Sequence, residues 1–151
     1  MLLGFSWHQL EAEAAQIASF GKARLDGKVA YLATVSAAGQ PRVHPVTPVI
    51  GSGRCFIFAE PNSSKVRDLE ADGHYSLHCS MTDSSGSSGE FKMTGQAVRI
   101  EDSTIRLAAE ADCNFRPAAK SLLFELLLAD VVATSYKGGR PDRRRWSAPG
   151  P

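Results

Sequence analysis

Hydrophobic positions recur at helical spacing near the start of the chain. Trp7, Leu10, Ala14, Ile17 and Ala18 share one face, which predicts an amphipathic helix from residue 7 to about residue 25. Ser6 and Gln9 are spaced as a capping box, Phe5 and Leu10 hold the staple positions, and Asp26-Gly27 stops the helix. From Val29 the period changes to two. Val29, Tyr31, Ala33 and Val35 alternate with Ala30, Leu32, Thr34 and Ser36, and both sets are largely apolar, as in a strand covered on both faces. Ala37-Ala38-Gly39-Gln40 forms a hairpin loop, and the chain returns through Pro41–Ile50, whose three prolines demand an edge, a bulge or a bend. Gly51-Ser52-Gly53 turns into a third, apolar strand, Cys55-Phe56-Ile57-Phe58, and a short helix closed by Gly73 follows.

Alternation resumes over His74–Ser80, with Tyr75, Leu77 and Cys79 on the apolar side. Met81–Gly89 is rich in Ser and Gly and reads as a mobile loop. Phe91–Ile100 is a long strand with Gly95 as a bulge or corner, and Ser103–Cys113 a helix broken at Arg116-Pro117. Ala118–Leu128 reads as another apolar helix, Val131–Tyr136 as a sixth strand, and the stretch from Gly138 onward as a polar, basic tail ending in a Pro/Gly stub. No linker or repeat divides this order. It predicts a mainly β, six-stranded antiparallel barrel with peripheral α-helices, a single domain over residues 1–151 with an N-terminal helical segment over 1–26 and a tail over 138–151.

Composition narrows the partners. Seventeen basic residues face sixteen acidic ones, a balance that favours neither nucleic acid nor an anionic membrane. No apolar run approaches the roughly 20 residues that span a bilayer. Met1–Phe5 lacks the features of a signal peptide, so the expected location is the cytoplasm. Cys55, Cys79 and Cys113 are odd in number, widely spaced and set in apolar patterns, as reduced core cysteines are, and no metal-ligand spacing occurs.

The chemistry concentrates at Ala59–Leu69. Ser63, Ser64 and Lys65 stand at the N-terminus of a helix and just past the end of a strand. There the unpaired backbone N–H groups and the helix dipole favour an anion. Two hydroxyl donors and a point charge at that place describe a phosphate seat, although Ser and Asn are equally ordinary N-caps. No nucleophile elbow and no paired carboxylates suggest hydrolysis. His44 and His78 are candidate proton donors, but a strand histidine more often satisfies a polar neighbour. No catalytic residue stands out. Arg143-Arg144-Arg145 beside Trp146 suits a solvated tail, or one pinned across a dimer, better than an RNA contact.

Tyr31–Val35, Gly39–Val46, Phe56–Ala59, then Ser64-Lys65 with Arg67 and Leu69, and finally Gly95-Gln96-Ala97 occur in an order that resembles the flavin-binding split β-barrel family typified by pyridoxamine 5′-phosphate oxidase. The resemblance covers roughly residues 25–100. It implies FMN with its phosphate at Ser64 and Lys65, joined by Ser63, and with Arg42 reaching the cofactor. It implies that the backbone around His44 to Val46 and Phe58, Ala59 and Glu60 lines the ring, and that a homodimer holds the cofactor between subunits, with Gln96 and Trp146 as contacts to a flavin held mainly by the partner. A 5-deazaflavin of the F420 type shares this ring-plus-phosphate logic. Haem has only the His74…His78 alternation in its favour. The basic residues Arg140 and Arg143–Arg145 do not fall at a spacing that marks a substrate-phosphate site, and the long N-terminal arm of the true oxidases is lacking, which argues against oxidation of pyridoxamine phosphate. The expected activity is flavin-dependent oxidoreduction of an unidentified small molecule. A non-catalytic flavin-binding or sequestration protein is the alternative.

Overall fold

A computed structural model describes residues 4–149. Met1–Leu3, part of the stretch read above for a leader, and the closing Gly150 and Pro151 lie outside the described residues. The elements run α1 (Trp7–Glu13), α2 (Ala15–Leu25), β1 (Ala30–Val35), β2 (Pro41–Val46), β3 (Val49–Gly51), β4 (Arg54–Ala59), α3 (Ser64–Ala71), β5 (His74–Cys79), β6 (Glu90–Ile100), α4 (Ser103–Ala111), β7 (Leu122–Lys137) and β8 (Arg140–Ser147). All eight strands belong to one antiparallel sheet in the order β2-β1-β5-β6-β7-β4-β3, with β8 added beside β7.

The mainly β, antiparallel plan expected from the sequence is present, with two strands more than six. The proline-rich return divides at Thr47-Pro48 into β2 and β3, because Pro48 has no N–H to give to a ladder. The second addition is β8, which lies in the supposed tail. Gly138 and Gly139 have φ of 57° and 76°, as a two-residue primed hairpin requires, and return the chain so that Lys137 faces Arg140 and Val131 faces Trp146.

The expected helix over Ala118–Leu128 is instead the first half of β7. Leu122-Leu123-Phe124-Glu125-Leu126-Leu127-Leu128 is built of good helix formers, but it offers no polar face. As a strand between β4 and β6 it sends Phe124, Leu126 and Leu128 into the main core and Leu123 into a smaller cluster with Val49, Phe56 and Ala109. The register of β6 against β7 shifts between Thr94 and Gly95. A side chain at Gly95 would collide with the carbonyl oxygen of Leu127.

The N-terminal helix is two helices. Ala14 breaks it with φ −145° and ψ 63°, which lets α1 pack on β4 while α2 crosses β3, β6, β7 and β8. Gly21 of α2 lies against the ring of Phe91, where a Cβ has no room. Ser6 is the N-cap of α1, but its side chain makes no capping bond, so the expected capping box is not formed. The Ser/Gly-rich loop is organised by Asp83, whose carboxylate accepts from the N–H groups of Gly86 and Ser88, and by Arg24, which donates to the carbonyls of Ser80, Ser88 and Gly89. Cys55 and Cys79 are buried and Cys113 is half-buried, all three as free thiols. Among the described residues no helix is long and apolar enough to cross a membrane.

Candidate functional site

Strand β4 ends at Ala59 and the chain turns through Glu60-Pro61-Asn62 into α3. Ser63 is the N-cap of that helix, yet its hydroxyl donates backwards to the Glu60 carbonyl (2.8 Å) and caps nothing. Among the described residues the first-turn N–H groups of α3 therefore have no side-chain acceptor, and a helix start without a cap retains its preference for an anion. Ser64 and Lys65 form the first turn, and among the described residues neither the hydroxyl nor the ammonium makes a side-chain bond. Arg67 turns away and donates to the Asn62 carbonyl at 2.8 Å.

The same helix is tied to the hairpin β1–β2 from below. Asp68 is buried, with its Oδ2 2.7 Å from the Thr34 hydroxyl, which donates to it, and 3.3 Å from Arg42 Nε. Thr34 Oγ1 is also 2.9 Å from His44 Nε2. The register explains the meeting: Thr34 pairs with Arg42 and Leu32 with His44, so these side chains share the inward face of β1 and β2. Burial pushes the His44 imidazole pKa below its ordinary value, the nearby Lys65 and Arg42 charges add to the fall, and Asp68 opposes it.

Beside the seat lies a cleft of about 350 Å³ between β2, β4 and the segment 115–121. Pro45, Val46, Thr47, Phe58, Ala59 and Glu60 form its walls, Lys65 stands at its α3 end, and Phe115, Arg116 and Pro117 face it across the opening. Arg106 of α4 holds that far wall in place. It donates to the carbonyls of Ser121 (2.6 Å), Ala118 and Ala119 (both 3.3 Å), pairs with Glu110, and lies 5.4 Å from the centroid of the Phe58 ring. Phe115 meets Phe58 edge to face at 6.3 Å. A second cavity of about 180 Å³, between α2 and the β7–β8 hairpin, lies apart from these groups, and its rim charges Asp142 and Arg144 pair with each other. Among the described residues no group of three His, Cys, Asp or Glu side chains is placed to hold a metal ion.

A family model described as pyridoxamine 5′-phosphate oxidase matches residues 16–126. The chain belongs to that family. No curated protein matches its sequence. Among solved structures, a heme-binding protein from Mycobacterium smegmatis superposes with a TM-score of 0.68 at 21% identity, over 87% of this chain and 57% of the other. A NimC/NimA family protein from Clostridium acetobutylicum gives 0.65 at 14%, over 93% and 94%, and an F420 reductase gives 0.58 at 14%, over 73% and 94%. At these identities the likeness is one of fold. The chain spans little more than half the length of the M. smegmatis protein.

With the pyridoxamine 5′-phosphate oxidase fold in place, the residues singled out from the sequence fall into three sets. Val46, Phe58, Ala59, Glu60 and Lys65 line one cleft, and Ser63 and Ser64 begin the helix that carries Lys65. Arg42 and His44 join α3 through Asp68 and Thr34 and do not line the cleft themselves. Gln96 and Trp146 are elsewhere. Gln96 faces His74 beside Leu69, Gly73 and Arg99. Trp146 is packed in the core edge-on to Phe5, and its Nε1 donates to Glu13. The sequence pattern does not mark Thr34, Asp68, Phe115 or Arg116 as site residues. Their signals in the sequence are slight: a hydroxyl on the inward period of β1, an acid beside Val66 and Leu69, and an aromatic before the Arg116-Pro117 break.

Proposed function

We propose that the chain binds a flavin, FMN or a deazaflavin of the F420 type, in the cleft beside α3 and serves as an oxidoreductase. One observation carries the reading: an uncapped helix start with an uncommitted lysine opens beside an aromatic-walled cleft. This arrangement suits a flat apolar ring with a phosphate-bearing tail. The residues fit the group in detail. Ser64, Lys65 and the first-turn N–H groups would take the phosphate, Arg42 has both terminal nitrogens uncommitted among the described residues, and Val46, Phe58 and Phe115 would flank the ring. The flavin would supply the hydride or electron transfer. The chain's own residues orient it, neutralise its phosphate and keep water off one face.

Membership of the pyridoxamine 5′-phosphate oxidase family and an F420 reductase among the fold neighbours support a flavin. Haem is the other cofactor named among those neighbours. The β5 imidazoles argue against it here, since His78 Nδ1 meets the Cys79 carbonyl (2.6 Å), its Nε2 meets Glu90 (3.3 Å), and His74 pairs with Asp72. Two copies would complete the site. Tyr31, Val35 and Val43, at 46%, 38% and 68% exposure, lie on one outward apolar face of β1–β2. Pro45, opposite Tyr31 in the ladder, also borders the cleft, so a second copy on that face would cover the ligand.

Absorbance spectra and titrations of the purified protein with FMN, deazaflavin and haem test the assignment. A flavin spectrum or saturable flavin binding is the expected result; a Soret band, or no binding of either flavin, would overturn it. Reduction of a test quinone by the loaded protein then separates an oxidoreductase from a carrier that holds flavin without turnover. The double variant Ser64→Ala, Lys65→Ala should weaken flavin binding by roughly 2–4 kcal/mol through loss of two contacts to the phosphate, one of them charge-assisted on both sides, as read by fluorescence titration.

A further inference from the structure

Thr34 and Asp68 contribute nothing to the cleft surface, yet both are polar and almost wholly buried, at 1% and 4% exposure. Each is satisfied through the other and through His44 and Arg42. Counting protons sets the direction of these bonds. A threonine hydroxyl has one proton. The carboxylate of Asp68, paired with Arg42 and 2.7 Å from Thr34 Oγ1, takes it. The 2.9 Å contact between Thr34 Oγ1 and His44 Nε2 then draws its proton from the imidazole. Nε2 therefore carries hydrogen, and Nδ1 is the lone-pair nitrogen of the neutral ring.

We propose that Asp68 and Thr34 are positioning residues of the anion seat: through Thr34, Asp68 holds His44 in its Nε2–H form, and through Nε it holds Arg42 with its terminal nitrogens free, so that His44 takes up a proton when a phosphate group binds. This rests on the reading of the cleft as the site of a phosphate-bearing ligand. The groups facing the imidazole are Lys65 and Asp68 from α3, Arg42 from β2 and Thr34 from β1. Burial first, and then the Lys65 and Arg42 charges against the one carboxylate of Asp68, favour the neutral ring before binding. A phosphate brought up to Lys65 and Arg42 offsets both cations, removes their part of the fall and raises the imidazole's affinity for a proton. The proton comes from solvent to Nδ1, and no covalent bond forms or breaks.

Long-range proton–nitrogen NMR on the full chain without ligand reads the tautomer directly. The wild type should show His44 as the Nε2–H form, Thr34→Val a mixture of tautomers, and Thr34→Ser, which keeps the hydroxyl, the wild-type pattern. Titration calorimetry with FMN in two buffers of different ionisation heat then reads proton uptake. Uptake of part of a proton is expected in the wild type and in Thr34→Ser and is lost in His44→Gln. Affinity should fall on the order of tenfold in Thr34→Val. An Nδ1–H or mixed tautomer in the wild type overturns the proposal, as does Thr34→Val binding FMN with unchanged affinity and proton uptake. A wild type with the Nε2–H tautomer that binds no flavin overturns the flavin reading and the uptake step, and leaves the relay between Asp68 and His44 standing.

Discussion

At the scale of single residues, the balance around His44 has a consequence for stability even without a ligand. Its pKa in the folded chain lies below the ordinary 6.5, so on acidification the unfolded chain accepts this proton first. The group costs nothing above 6.5 and withdraws stability as pH falls from there through the lowered value. Urea unfolding of His44→Gln should therefore lose part of the wild type's decline on the acid side and match its slope above neutrality. Equal acid slopes in the two proteins would refute this. Ser64 and Lys65 are legible in the sequence because a helix start after a strand is a local pattern. Thr34 and Asp68 are not, because 34 residues separate them and only the docking of α3 on β1 brings them to 2.7 Å. The surroundings of Trp146 are hidden for the opposite reason: its basic neighbours suggest an exposed tail, while the segment is strand β8 and the ring packs against Phe5.

Among the elements, the far wall of the cleft depends on one side chain. Arg106 grips three carbonyls of 118–121 and faces Phe58. Arg106→Ala should lower stability by about 1–3 kcal/mol and speed amide exchange over 115–121 with little change in β1 and β5. Gly95→Ala tests the bulge: the added methyl meets the Leu127 carbonyl and should cost about 1–3 kcal/mol in denaturant unfolding. Strands β1, β5 and β6 are readable from alternation, and β4 from its short apolar run between turn residues. The first half of β7 is not, since a segment covered on both faces shows no period and its leucines and glutamate favour a helix. The Gly138-Gly139 pair is the mark of β8 in the sequence, set beside a run of charges that the hairpin sends to solvent.

For the whole molecule, the outward face of β1–β2 invites the most direct test. A stable interface buries roughly 800 Å² per partner, so a charge at its most exposed apolar position should act strongly. If that face forms the dimer, Val43→Asp is expected to convert it to monomers by light scattering, while the unfolding free energy of the isolated chain changes by no more than about 0.5 kcal/mol because Val43 is 68% exposed. A dimer unaffected by the change would place the second copy elsewhere. The general plan of an antiparallel sheet with few helices is legible from the order of periodic segments. The partition of β7 between neighbours is not, because it is a property of long-range pairing.

That partition governs how the protein must be made. Leu122–Lys137 pairs with β6 along most of its length, with β4 at its start and with β8 at its end. Without it, the β3–β4 hairpin has no ladder to the rest of the sheet. During synthesis, β4 and β6 therefore wait with open edges until the last third of the chain has left the ribosome, and any nascent chain halted before residue 122 presents two half-built sheets to its surroundings. Delay and exposure to aggregation are built into the topology, and so is an all-or-none finish: once β7 seats, both halves close together.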